Sequence, residues 1–105
     1  MDRETKKKYV PMTETGFYIL FCLQDEMHGY DIMKKVRELT CGAIVISAGT
    51  MYGSLSKMEK DGLIRFTEEK GRRKRYLITE QGREVLETEL KRIGRLYKNS
   101  RGEQA

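Results

Sequence analysis

The 105-residue sequence predicts a single domain of the α+β class that is mainly α-helical. Three observations support this class. Hydrophobic residues recur at helical spacing in three separate segments. A pair of short alternating segments, joined by a turn that contains glycine, has the pattern of a β-hairpin. The composition, with 38% hydrophobic and 35% charged residues, suits a folded domain with a highly charged surface.

The first element is predicted to be a helix preceded by a flexible segment. Residues 1–11 are polar and basic and end in the only proline, so we expect a flexible basic arm. Thr13 is suited to cap a helix that contains the wholly apolar run from Phe17 to Leu23. The run alone does not distinguish a helix from a buried strand, but the cap and a length of roughly 13 residues favour a helix.

Two amphipathic helices are predicted next. Ile32, Val36 and Leu39 recur at i, i+4 and i+7, which places them on one helix face. Residues 43–46 are short and β-branched, so they suit either a brief strand or a buried connection. A third helix is predicted from about residue 48 to residue 60, where an Asp-Gly pair ends it.

A hairpin and a long helix complete the chain. Residues 63–67 and 73–79 alternate apolar and polar side chains, and Gly71 lies in the turn between them. The last helix is predicted over residues 80–99, because its acidic first half and basic second half match the helix dipole. An apolar stripe with the steps of a coiled-coil seam follows this helix: Leu86, Leu90, Ile93 and Tyr97.

The order of these elements is that of a winged helix-turn-helix. Residues 12–79 would form this domain and residues 80–99 a C-terminal dimerisation helix, after a flexible arm at 1–11 and before a disordered tail at 100–105. The last helix extends roughly 30 Å, which supports a homodimer; the alternative is a helix that covers only its own domain. The residues expected at the dimer interface are Phe17, Leu20, Phe21, Leu86, Leu90, Ile93 and Tyr97.

Several classes of function are disfavoured by the residue types. Cys22 and Cys41 lack metal-ligand or redox spacing and His28 is the only histidine, so we expect no metal and no cofactor. The sequence has no Ser/His/Asp set and no glycine-rich phosphate loop, which argues against an enzyme. No apolar run approaches the roughly 20 residues that span a bilayer, and no signal-type segment is present, so we expect a cytoplasmic protein.

The distribution of positive charge points to a nucleic acid. Lysine and arginine outnumber aspartate and glutamate by 21 to 16, and five of these basic residues lie within positions 70–75 at the tip of the hairpin. Such a cluster beside a slim, hydroxylated helix suits DNA, whose phosphates would make binding salt-sensitive. The alternative is that the cluster is a solvated turn with no binding role. The expected DNA-binding residues are Tyr30, Ser47, Gly49, Thr50, Tyr52, Gly53, Ser56, Lys57, Lys70, Arg72, Arg73, Lys74 and Arg75.

Two aromatic positions have competing interpretations. Tyr52 follows a core position of the third helix, so its hydroxyl could reach a phosphate or its ring could stack on sugar and base. The alternative is a half-buried tyrosine that packs on the hairpin. His28 is more simply a packing or capping residue, and Tyr30 beside it is a candidate for a phosphate contact.

Three motifs together resemble the PadR family of regulators. They are HGYDI at residues 28–32, GTMY at 49–52 followed by MEKDG at 58–62, and RKRY at 73–76 leading into the last helix. The resemblance covers residues 13–97 and fits the short branch of the family, which has a single C-terminal helix. It implies a dimeric repressor on a palindromic operator, often released by a small-molecule effector, with Thr50, Tyr52 and the wing in contact with DNA. The alternative function is a winged-helix module that binds a protein or an RNA without operator specificity.

Overall fold

The computed structural model describes all 105 residues and confirms a mainly helical fold with a small antiparallel sheet. The elements are α1 (Arg3–Tyr9), α2 (Glu14–Cys22), β1 (Met27–His28), α3 (Gly29–Leu39), α4 (Ala48–Lys60), β2 (Ile64–Lys70), β3 (Arg73–Ile78) and α5 (Glu80–Ser100). The three strands lie in the order β1–β3–β2, and the β2–β3 hairpin is the wing. Helices α2, α3 and α4 precede the wing, and α5 follows it.

Every helix begins at a side chain that accepts a hydrogen bond from a backbone N–H of the first turn. The cap that the sequence predicts at Thr13, at the start of α2, is confirmed, and His28 caps α3 through Nδ1. Each such cap typically contributes about 1 kcal/mol by satisfying a backbone donor that has no partner within the helix. The five capping residues are Asp2, Thr13, His28, Ser47 and Thr79.

The hydrophobic core lies between helices α2 to α5 and the sheet. It contains 17 buried hydrophobic residues, including Ile32 and Val36 from α3 and Met51 and Leu55 from α4. The apolar face that the sequence predicts for α3 is confirmed at Ile32 and Val36, whereas Leu39 at the end of the helix is 51% exposed.

Two of the residues predicted at a dimer interface belong to this core instead. Leu20 is fully buried and Leu86 is 3% exposed within the single chain. The prediction for these two residues is wrong, because their apolar stripes pack against the chain's own helices before any second chain is added. Periodicity identifies an apolar face but does not show which partner covers it.

The prediction of a flexible arm over residues 1–11 is also wrong, because residues 3–9 form α1. Asp2 caps this helix, and Tyr9 is buried with its hydroxyl donating to Oδ2 of Asp61 at 2.6 Å. The two residues are 52 positions apart, so the local sequence contains no sign of the contact that holds the helix.

Of the two alternatives for residues 43–46, a brief strand or a buried connection, the structure shows no strand. Residues 43–46 form no strand: Ile46 is buried, as a buried connection requires, while Val45 is 64% exposed. The Thr40 hydroxyl accepts from the backbone N–H of Ile44 at 3.0 Å, which satisfies a donor that a strand would have paired. The third strand is instead Met27–His28, which pairs with β3 and is too short to show an alternating pattern.

Among the glycines of the chain, Gly82 at the start of α5 is the most closely packed. A Cβ atom at Gly82 would lie 2.1 Å from the carbonyl oxygen of Leu63 and 2.7 Å from Cγ1 of Ile78. Only glycine allows α5 to lie directly against the residues that open the wing.

We therefore expect Gly82→Ala to lower the free energy of unfolding by about 1–3 kcal/mol or more, since backbone must move to admit the methyl group. Gly53→Ala is the matched control, because Gly53 also lies within a helix but its added Cβ would meet nothing within 4 Å. The control should be stabilised by up to about 1 kcal/mol. Urea unfolding followed by circular dichroism measures both changes, and equal stability of Gly82→Ala and the original protein would contradict the expectation.

Candidate nucleic-acid interface

Helix α4 presents a slim polar face to solvent. Its apolar residues Met51, Leu55 and Met58 are buried, while the residues on the opposite side are exposed. A Cβ atom added at Gly49 or Gly53 would meet nothing within 4 Å, so both positions leave open space on this face. The exposed residues of α4 and its cap include the predicted Ser47, Gly49, Thr50, Gly53, Ser56 and Lys57.

The entry to α4 is held by the side chain of Ser47. Its Oγ accepts from the Thr50 backbone N–H at 3.2 Å and lies 3.0 Å from the Thr50 hydroxyl. These bonds place two hydroxyl groups at the exposed end of the helix, where they can exchange their partner for a phosphate or a base edge.

Tyr52 is half-exposed, at 52%, and leans on the start of α3. Its Cε1 atom would lie 2.8 Å from a Cβ at Gly29, so the missing side chain of Gly29 is what lets the ring lie there. The ring lines a cleft of about 250 Å³ between α3, α4 and the wing. The other residues of this cleft, which we call the wing cleft, are His28, Gly29, Arg72, Arg73, Lys74 and Tyr76.

The basic residues of the wing differ in their surroundings. Arg75 is half-buried, and its Nε lies 3.7 Å from a carboxylate oxygen of Glu68. Arg73 stacks over the ring of Tyr30, with its guanidinium carbon 5.0 Å from the ring centroid. The four basic residues other than Arg75 are exposed, and no carboxylate lies within 4 Å of them: Lys70, Arg72, Arg73 and Lys74.

The structure brings the predicted residues of three elements to one side of the molecule. Tyr30 at the start of α3 is 55% exposed and contacts the wing through Arg73, while Tyr52 of α4 lines the wing cleft. The sequence did not show that the Tyr52 ring packs against Gly29, nor that Tyr30 stacks on Arg73. The HGYDI motif draws attention to Gly29 and Tyr30, but only the tertiary structure shows which aromatic ring packs over the glycine.

A second exposed surface runs along the C-terminal half of α5. Three predicted interface residues, Leu90, Ile93 and Tyr97, are 47%, 40% and 63% exposed, and Leu96 beside them is 50% exposed. On α2, Phe17 and Phe21 are partly buried and stack with ring centroids 6.0 Å apart. A Cβ at Gly94 would meet nothing within 4 Å in the chain.

Other kinds of site find little support in the side-chain arrangement. No group of three histidine, cysteine or carboxylate side chains is arranged to hold a metal ion. Cys22 is buried, and burial raises the pKa of its thiol, which disfavours the reactive thiolate. None of the helices has the length and apolar character that crossing a membrane requires.

Comparison with known proteins identifies the family. Over residues 19–88, about two-thirds of its length, the chain matches the Transcriptional regulator PadR-like family. The chain belongs to this family. The resemblance seen in the three motifs is thereby confirmed, and PadR-like proteins are transcriptional regulators rather than enzymes.

Individual relatives agree with this assignment. Over 64 residues the chain is 38% identical to the transcriptional regulator YqjI of Escherichia coli (strain K12), covering 61% of this chain but only 31% of the length of that relative. A transcriptional regulator from Clostridium thermocellum has a TM-score of 0.70 at 28% identity, covering 94% of this chain and 95% of that one. Bacillus subtilis PadR, solved with operator DNA, has a TM-score of 0.66 at 26% identity over 74% of this chain and 47% of that one.

The contact between the Tyr52 ring and Gly29 can be tested by adding one methyl group at residue 29. Gly29→Ala should push the Tyr52 ring out of the wing cleft and lower stability by about 1–3 kcal/mol through overpacking. The aromatic NMR signals of Tyr52 should shift, whereas Gly49→Ala, in open space, should leave them unchanged. Unaltered Tyr52 signals in Gly29→Ala would show that the ring does not rest on this glycine.

Proposed function

We propose that the chain is a sequence-specific DNA-binding transcriptional regulator that represses transcription as a homodimer on a palindromic operator. The observation that carries the proposal is the convergence of the polar face of α4, the Tyr30–Arg73 pair and the exposed wing cations on one side of the domain. The operator complex of Bacillus subtilis PadR, a relative with the same fold, supports DNA as the partner. As a regulator of transcription it would act in the cytoplasm.

Each part of this surface has a distinct task in the proposed complex. Helix α4 enters the major groove, which is about 12 Å wide and admits one helix, and its glycines and serines keep the contact close. Tyr52 lines the wing cleft and Tyr30 stacks on its Arg73, so that a phosphate in the cleft can reach Arg73 and the Tyr52 hydroxyl. The exposed wing lysines and arginines neutralise neighbouring phosphates and release counterions.

The proposed dimer uses the exposed apolar stripe of α5. Leu90, Ile93 and Tyr97 stay in water in the single chain, and a second α5 related by two-fold symmetry would cover them. Phe17 and Phe21, half-covered on α2, would extend this interface. Two copies of α4 would then address two half-sites related by the same axis, which is why a palindrome is proposed.

Release by a small-molecule effector belongs to the same proposal as an implication of family resemblance. A ligand that prefers one arrangement of the two chains would shift the spacing of the two α4 helices. The partly buried Met12 and Phe17 near the proposed interface provide an adaptable apolar lining for such a ligand.

The test of DNA recognition uses a duplex that the purified protein selects from a random pool, with a scrambled duplex as reference. We expect a clear preference for the selected duplex. Tyr52→Ala should weaken binding to both duplexes by about 1–3 kcal/mol, roughly 5- to 150-fold, because its hydroxyl is proposed to contact a phosphate. Arg73→Ala should make the negative slope of log affinity against log salt shallower by about 0.9 for each phosphate that the side chain neutralises. Equally weak binding to both duplexes would support a module that binds protein or RNA instead.

The test of the dimer places a charge in the apolar stripe. Ile93→Glu should give a monomer in gel filtration with light scattering, since a buried unpaired carboxylate disfavours the interface strongly. Arg95→Glu is the matched control, because residue 95 lies about 200° around the helix from residue 93. A monomer in the original protein, or an unchanged dimer in Ile93→Glu, would contradict the proposed interface.

A further inference from the structure

Helix α1 is attached to the far end of the α4 helix by its last residues. The Tyr9 hydroxyl donates to Asp61, the C-cap of α4, at 2.6 Å, and Lys8 Nζ lies 3.1 Å from the other oxygen of the same carboxylate. At the other end of α1, the Thr5 hydroxyl accepts from the side-chain amide of Gln81 at 3.3 Å. With Thr5 and Tyr9 both buried, α1 has a fixed position beside α4.

This position brings Lys8 next to Lys57 of α4. Both side chains line a cleft of about 160 Å³, which we call the α1 cleft, and the Lys57 Nζ lies 5.9 Å from the centroid of the Tyr9 ring. Lys57 has no carboxylate within 4 Å, and the Lys8 side chain is 50% exposed. Small residues leave the α1 cleft open between α2 and α4: Thr13, Gly16 and Ser54.

The α1 cleft and the wing cleft lie on opposite flanks of α4. At 100° per residue, Lys57 is about 140° around the helix from Tyr52, and Gly53 and Ser56 occupy the arc between them. If this arc faces the major groove, Tyr52 faces one bordering phosphate backbone and Lys57 faces the other. The wing cations lie on the Tyr52 side of α4, so they can contact only the phosphate backbone that Tyr52 faces.

We propose that Lys8 and Lys57 bind the DNA backbone on the flank of α4 opposite the wing, which makes α1 part of the DNA-binding surface. The inference rests on the proposed function. The ion pair of Lys8 with Asp61 does not compete strongly with this role. The Tyr9 hydroxyl still satisfies Asp61 and holds the pKa of that carboxyl low, so Lys8 is free to turn toward a phosphate.

The experiment compares two double variants that remove the same charge. Lys8→Gln with Lys57→Gln removes the proposed phosphate contacts, and Lys91→Gln with Lys98→Gln removes two exposed lysines of α5. Binding to the selected duplex and to a random duplex is measured across a salt titration. For the first variant we expect the negative slope of log affinity against log salt to become shallower by about 0.9 per phosphate, hence by about 3.6 for the four lysines of a dimer. The preference for the selected duplex should not change, because phosphate contacts carry no sequence information directly.

Three results would overturn the inference, and they differ from one another. An unchanged slope in Lys8→Gln with Lys57→Gln, while the original protein prefers the selected duplex, would refute the second backbone contact alone. An equally shallower slope in both double variants would assign the effect to net charge rather than to this flank. Absence of duplex binding by the original protein would refute the proposed function and the inference together. Thermal unfolding of each variant confirms that glutamine at these exposed positions leaves the fold intact.

Discussion

The rest of the structure depends on the packing of α4, the two strands of the wing and α5 around the backbone of residues 61–63. Gly82 brings the start of α5 against the Leu63 carbonyl, and the Thr79 backbone N–H donates to the same oxygen at 2.9 Å. The Thr79 hydroxyl donates to the Gly62 carbonyl at 2.6 Å. Because α4 ends here and the wing begins here, these contacts set the angle between α4, the wing and α5.

A buried carboxylate lies further along α5, paired with an arginine of the same helix. The Glu89 carboxylate is 1% exposed and accepts two hydrogen bonds from Arg92, at 2.9 and 2.8 Å. These bonds, together with one from the Met12 backbone, hold the pKa of Glu89 below its usual range. A buried carboxylate is costly to desolvate, so its full set of partners is needed to keep it charged in place. The bond from the Met12 backbone, in the segment before α2, ties α5 to the domain just before the apolar stripe of α5 becomes exposed.

The two anchors explain how one helix can serve two surfaces. The buried residues of α5 all lie before residue 90, whereas Leu90, Ile93 and Tyr97 extend beyond the core and remain exposed. A rigid α5 therefore relates the proposed dimer surface to the polar face of α4 without a flexible joint between them. In such an arrangement, the crossing of two α5 helices determines the distance between two DNA-reading helices.

The sequence by itself determined α2 to α5, the wing, the family and the exposed polar face of α4, because each depends on local spacing, capping or a short motif. Only the tertiary structure decided the rest. Helix α1 and strand β1 are held by partners distant in sequence, Asp61 and β3, and no local pattern reports such a partner. Leu86 is buried and Leu90 is half-exposed, although both belong to the same apolar stripe. The physical reason is that periodicity identifies the apolar face of a helix but not how far the core extends along it. Here the core ends before α5 does, so the last part of the apolar face is exposed.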